Sequence, residues 1–492
     1  MKKKLISLAL LITLLLSYSV THAYQAPNKA TVGSVATTTQ KQPKYIFYFI
    51  GDGMGTSQRQ ITEYYLQETT GDATKKLLMN TFPHSAINTT HSMNTLITDS
   101  AAAGTALATG YKTDNGVISK DPQGNDLKTL VEAAEEIGMA TGLASTTRIT
   151  HATPAVFASH NESRGNENEI AADFLDSGVD YIVGGGVRHF LPEGWKDNQT
   201  DAFGKTIKSK RKDSRNLLAE FRQAGYTVRY GMKGAEEFRK ETFKAGDQYL
   251  GLFTYSHLPY TLDDMHNDSY NAPTLVEMTS KGIELLSKDQ DGFFFMIEGG
   301  RIDHACHPND TPAAIMDTLA FDDAVKEAYD FYLKHPEETL ILVLGDHETG
   351  GLGMGVNTDY FLSLSELTKA KMSIEVLQGQ YDGDRAAFYA FIEENFGLTE
   401  LSKEEKSLFE KSMDMVDEGT FTYNNKYKYD ETAMAVTHIL SERAGVYWTS
   451  YAHTATQIPM SAIGVGAEQY SGFMDNTTIA NLTAELVGLS LK

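Results

Sequence analysis

The segment ITDSAAAGT, residues 97–105, sets Ser100 behind an aspartate and ahead of a run of small residues. Such a serine opens a helix, and the first turn of a helix offers unpaired N–H groups and positive dipole character to an anion. The small residues predict room for a substrate close to the backbone. Alone, a serine before an apolar helical run is an ordinary cap. Elsewhere the chain sets acids and histidines directly after apolar runs. Asp52 follows residues 44–50, Glu298, Asp303 and His307 follow 293–297, and Asp346 with His347 follows 339–344. Carboxylate and imidazole together suit zinc, while all-oxygen sets suit magnesium. A serine nucleophile beside a multi-metal centre is the chemistry these residues could perform.

To converge, they need strands whose carboxyl ends share one edge, the usual ligand crevice of an open parallel sheet. The runs 44–50, 139–145, 181–183, 227–230, 249–255, 293–297, 339–344 and 460–465 read as strands, most of them apolar on both faces. Helical periods at 126–137, 217–224, 274–286, 313–332 and 477–487 alternate with them. This pattern predicts an α/β fold with a large, mostly parallel central sheet flanked by helices on both faces. Residues 354–446 break the rhythm. Within them 384–396 is helical and stops at Gly397, and Ser402 with Glu405 makes a capping box. An inserted helical unit beside strand ends is expected to cap the site.

The chain has 492 residues, enough for one large α/β domain with insertions or for two to three ordinary domains. Its formal charge of -22 argues against a nucleic-acid backbone or an anionic membrane as the main partner. An anionic substrate would need positive charge supplied locally, as metal ions supply it. Lys2, Lys3 and Lys4, the apolar stretch 5–16 and Thr21-His22-Ala23 have the order of a cleaved secretory signal over residues 1–23. No stable membrane anchor is expected, and the location expected is secreted or periplasmic. Residues 24–43 read as a flexible lead-in and 44–492 as the body. Cys306 is the single cysteine, so no intrachain disulfide forms; it reads as a buried packing residue.

Seven motifs, in chain order, carry a resemblance: IGDGMG (50–55), TDSAAAGTA (98–106), RITHATPA (148–155), SR (163–164), EGGRIDHACH (298–307), GDHETGG (345–351) and AHT (452–454). With them the chain resembles the alkaline phosphatases over residues 44–350 and 447–490, and only weakly in the 354–446 insert. The resemblance implies metal-dependent hydrolysis of small phosphate monoesters through a phosphoserine on Ser100. It implies two zinc ions, one held by Asp303, His307 and His453 and one by Asp52, Asp346 and His347. A magnesium ion would take Asp52, Thr153 and Glu298, with Asp52 bridging. Arg164 would clamp phosphate oxygens and Asp99 would position that arginine. His151 and His304 stand where the enterobacterial type has Asp and Lys, and resemble the animal type instead. They are expected beside the substrate, and their presence opens the identity of the third metal. A homodimer is implied as well. The alternatives are a phosphodiesterase of the same superfamily and a secreted phosphate- or metal-binding protein without turnover. His91, His160, His257 and His266 match no motif and read as structural or surface groups.

Overall fold

Residues 45–50 are apolar at every position, which suits a strand covered on both faces. They form β1 (Tyr45–Gly51), buried throughout. The computed structural model describes residues 41–492 apart from 202, 356–359, 423, 424 and 426, so the secretory signal expected at 1–23 lies outside the described residues. Nine more strands join β1 in a ten-stranded sheet. They are β2 (His84–Asn88), β3 (Ala140–Arg148), β4 (Tyr181–Gly185), β5 (Thr227–Tyr230), β6 (Tyr249–Leu252), β7 (Phe293–Glu298), β8 (Thr339–Gly345), β9 (Ile458–Gly464) and β10 (Gly472–Met474). The order across the sheet is β10-β2-β9-β8-β1-β7-β3-β4-β6-β5.

The four strands β8, β1, β7 and β3 are neighbours and parallel, and they end level. Gly51 pairs with Gly345, and Glu298 pairs with both Ile50 and Ser145. Their carboxyl ends therefore deliver Asp52, Glu298 and Asp346 to one edge. Strand β9 runs antiparallel to β8. A strand that runs backwards begins where its neighbours finish, and this brings the preceding residue His453 to the same crevice. Alternate residues of β1 enter two cores. Ile46, Tyr48 and Ile50 pack under helices Ser100–Thr109, Ala152–Ala158 and Asn476–Val487. Tyr45, Phe47 and Phe49 pack under Leu275–Leu286 and Thr311–Tyr332.

Three details differ from the sequence reading. The helix expected from residue 126 starts at Leu130, because Thr129 and Glu132 form a capping box there. The strand expected to reach 255 stops at Leu252. Strands β2 and β10 went unread, since both are short and partly exposed, β10 at the sheet's edge and β2 next to it.

The insert leaves the body at Leu352–Met354 and returns at Val446–Trp448, two short strands paired antiparallel with Met354 opposite Val446. Between them, helices Arg385–Phe396, Lys403–Glu418 and Glu431–Arg443 enclose a third core around Phe388, Phe409 and Ile439. Gly397 ends the first of these in the left-handed region, and Ser402 with Glu405 caps the second. The core closes over Ile61, Tyr65 and Ile315 of the body. Among the described residues no helix is long and apolar enough to cross a membrane.

Candidate active site

Ser100 is the first residue of its helix, and Asp99 is the cap. Asp99 Oδ1 accepts the Ala102 N–H at 3.0 Å. Its other oxygen accepts from Arg164 Nη1 at 2.9 Å and from the Gly116 N–H at 3.0 Å. One carboxylate thus opens the helix that presents Ser100 and aims the guanidinium, whose charge it secures against burial. Ser100 Oγ stands 3.2 Å from His347 Nε2. The small residues after Ser100 also serve packing. Ala101, Ala102 and Ala103 are buried, and a methyl group on Gly104 would meet Val156 Cγ2 at 2.9 Å. They let this helix press against Ala152–Ala158, which carries Thr153.

Asp52, Glu298, Asp303 and Asp346 are all buried at the sheet edge. Three groups of donor atoms lie within 4.8 Å of one another: Asp52, Asp346 and His347; Asp303, His347 and His453; and Asp52, His151 and Glu298. His307 Nε2 is 3.3 Å from Asp303 and His453 Nε2 is 3.6 Å from it, so the set expected around Asp303 is also brought together. Thr153 Oγ1 donates to Asp52 at 3.3 Å. His307 Nδ1 donates to the Tyr451 carbonyl at 2.7 Å and His453 Nδ1 to the Thr98 carbonyl at 2.8 Å. A carbonyl only accepts, so in both rings Nδ1 is the donor, and the neutral ring turns its Nε2 lone pair to the site.

Asp52 Oδ1, Asp346 Oδ2 and Glu298 Oε1 are buried without a hydrogen-bond partner among the described residues. Burial, then the neighbouring carboxylates, drives Asp52 and Asp346 well above the ordinary carboxylate range. Burial takes Glu298 to about 7 although Ser145 and Thr147 donate to it. Asp303 is the exception: His307, His453 and His347 outweigh its burial and hold it well below the usual range. Orphaned carboxylate oxygens facing free imidazole lone pairs are a donor set that fits metal cations.

Residues 43–489 match the family model described as alkaline phosphatase. The chain belongs to the alkaline phosphatase family. It is 33% identical to alkaline phosphatase 3 of Bacillus subtilis (strain 168), over 92% of this chain and 91% of that protein. Alkaline phosphatase 4 of the same organism is also 33% identical, over 99% of this chain and 97% of its own length. The crystal structure of a cold-active alkaline phosphatase from the psychrophile Shewanella sp. superposes with a TM-score of 0.75 at 28% identity, covering 90% of this chain and 99% of that one. Alkaline phosphatases are metal-dependent hydrolases, and the three donor groups are this member's candidate metal-binding groups.

Beside these donors, this alkaline phosphatase carries a cluster of rings. His151 lies 5.3 Å from His304 between centroids, and His257 lies 4.3 Å from His304 and 5.7 Å from His151. Burial and the adjacent arginines push all three imidazoles well below their ordinary value, so they are neutral at alkaline pH. His151 Nε2 is 3.1 Å from Arg164 Nη2. His304 Nδ1 accepts from Arg301 Nη1 at 3.1 Å, and Arg301 pairs in turn with Glu375 of the insert. His257 was set aside in the sequence and belongs to this cluster. Its one signal was position: it follows β6 at the same edge of the sheet. Glu375 carried none, since its partner Arg301 is distant in the chain. Cys306 is buried as expected, with Gln58 Nε2 3.9 Å from its sulfur.

Proposed function

We propose that the chain hydrolyses phosphate monoesters by transferring the phosphoryl group to Ser100 and then to water. The observation that carries this reading is the position of Ser100 Oγ, 3.2 Å from His347, beside an Arg164 held by the preceding residue Asp99. Zinc is the metal proposed for Asp303, His307 and His453 and for Asp52, Asp346 and His347, and magnesium for Asp52, Thr153 and Glu298. When bound, these ions neutralise the dianionic ester and stabilise the attacking and departing oxygens.

The residues of the chain do the rest. Arg164 takes two phosphate oxygens bidentately, which its planar fork allows and a lysine would not. His151 and His304 border the phosphate as neutral hydrogen-bonding groups. Asp52, Thr153 and Glu298 are fully buried, so the ester enters where Arg164, His307 and His453 reach solvent. Ser100 Oγ bonds to phosphorus as the ester P–O bond breaks, and the proton lost by the Ser100 hydroxyl is made up on the departing alcohol. Water then bonds to phosphorus as the Ser100–phosphorus bond breaks, which returns the serine and gives net retention. The reading includes export directed by residues 1–23, a homodimer, and a capping role for residues 354–446. These three rest on the sequence and on the family resemblance.

The test is turnover of an aryl phosphate monoester and of the matching diester, with and without a chelator. Chelator-sensitive hydrolysis of the monoester with little of the diester is the expected result. Preference for the diester would establish the phosphodiesterase alternative, and phosphate binding without turnover the non-catalytic one.

A further inference from the structure

The motif GDHETGG supplies Asp346 and His347, and two residues further on it supplies Thr349. Side chains two apart in an extended chain share a face. Thr349 therefore turns with His347 into the site, while Glu348 turns away to Gln58 and Thr454. Thr349 is fully buried. Its main chain is pinned on both sides. Glu348–Thr349 pairs antiparallel with His453–Thr454, which sets Thr349 opposite His453, and the Thr349 carbonyl accepts from Gln58 Nε2 at 2.8 Å. A β-branched side chain on a fixed backbone has few rotamers, so the hydroxyl has a fixed place.

That hydroxyl touches both of the donor sets read as zinc sites. Thr349 Oγ1 is 2.5 Å from Asp303 Oδ1 and 3.3 Å from His347 Nδ1. A hydroxyl has one proton and two lone pairs. A carboxylate only accepts, so the proton goes to Asp303. The oxygen then accepts from His347 Nδ1–H, and the neutral ring turns its Nε2 lone pair to Asp52 Oδ1 at 3.3 Å and Asp346 Oδ2 at 3.2 Å. His307 and His453 take the same tautomer from main-chain carbonyls, which no substitution removes. His347 takes it from a side chain. The bond to Asp303 acts on the other set: with Oδ1 held by Thr349, Oδ2 faces His307 Nε2 at 3.3 Å. A group that orients a metal ligand is worth about 10- to 100-fold in affinity, and here one group orients a ligand of each set.

We propose that Thr349 is a positioning residue that links the two zinc sets, fixing the Asp303 carboxylate of one and the His347 tautomer of the other through a single hydroxyl. The proposal rests on the reading of those sets as zinc sites and adds the residue that ties them together. Thr349→Val removes the hydroxyl and keeps the shape, whereas Thr349→Ser keeps the hydroxyl. Zinc titrations of the chelated protein against a competing chelator, in excess magnesium, give two zinc constants without any turnover. Both should weaken about 10- to 100-fold in Thr349→Val, and both should stay within a few-fold of the unaltered protein in Thr349→Ser. The rise in melting temperature that zinc produces should shrink in Thr349→Val, because it follows the zinc constants. A packing defect would lower the metal-free melting temperature and leave that rise in place. Should Thr349→Val fail to fold, Thr349→Ala is read against Thr349→Ser with the same expectation. Unchanged zinc constants in Thr349→Val, weakening of only one of them, or equal weakening in Thr349→Ser overturns the proposal and leaves the zinc reading intact. An unaltered protein that binds no zinc overturns both.

Discussion

Asp99 carries two duties on one carboxylate, and they separate on substitution. Asp99→Asn can still accept the Ala102 N–H at the helix start but loses the charge that aims Arg164. The melting temperature should change little, while phosphate inhibition weakens about tenfold or more, the worth of one charge-assisted hydrogen bond. His151 and His304 act in the opposite sense. Both are neutral at alkaline pH, so neither adds charge to the phosphate seat. The double change His151→Asp with His304→Lys places a cation there. It should tighten phosphate inhibition about tenfold, roughly 1.4 kcal/mol, and slow turnover at high pH where product release limits the rate. Inhibition constants and turnover numbers measured in matched zinc and magnesium check both variants. Weaker phosphate binding in the double variant would refute the argument. At this scale the sequence was legible where a residue follows an apolar run, as Asp52, Glu298 and Asp346 do. It was not legible for His257, whose neighbours come from other strands, nor for Ala101–Gly104, where smallness serves helix packing.

Among the elements, the contact between helices Ser100–Thr109 and Ala152–Ala158 sets the distance from the nucleophile to Thr153. Gly104→Ala drives a methyl group to 2.9 Å from Val156 Cγ2. It should cost about 1–3 kcal/mol of stability and lower kcat as well, because the displaced helix carries Ser100. Val156→Ala should restore part of both; thermal unfolding and turnover of the single and double variants give the coupling. A second link runs from the insert. Glu375 holds Arg301, which holds His304. Glu375→Gln should raise KM several-fold with a smaller effect on kcat, and Glu375→Asp should recover part of the loss. Equal loss of kcat and KM effects in both variants would make the pair a purely structural one. The central parallel strands were readable because burial on both faces leaves an unbroken apolar run. The reversal of β9 was not, since strand direction leaves no trace in composition, and yet that reversal is what brings His453 into the crevice.

For the molecule as a whole, the buried carboxylates tie stability to metals and to pH. Burial raises Glu298 from 4.5 to about 7, and burial with the neighbouring carboxylates lifts Asp52 and Asp346 well above the ordinary carboxylate range. A carboxyl raised by folding stabilises the fold while protonated, fully so below its unfolded value, and loses that contribution as pH climbs through the folded value. Asp303, held low, loses its contribution only on acidification and does not enter this window. The melting temperature of chelated protein should therefore fall between about pH 5 and 8, and zinc with magnesium should restore more at the upper end. An unchanged melting curve after chelation, with metal loss verified by elemental analysis, would contradict this. The single body formed by residues 41–492 also constrains the insert. Joining Met354 to Val446 by a tight turn is geometrically simple, since they are paired, but it bares Ile61, Tyr65 and Ile315. If the trimmed protein folds, small and bulky esters should lose activity by different factors; equal losses would make the insert a stabilising element only. All of this presupposes a serine nucleophile. Labelled phosphate trapped on the enzyme at low pH, followed by mapping of the labelled peptide, should place the label on Ser100 and nowhere in Ser100→Ala; label on any other residue contradicts the phosphoserine route.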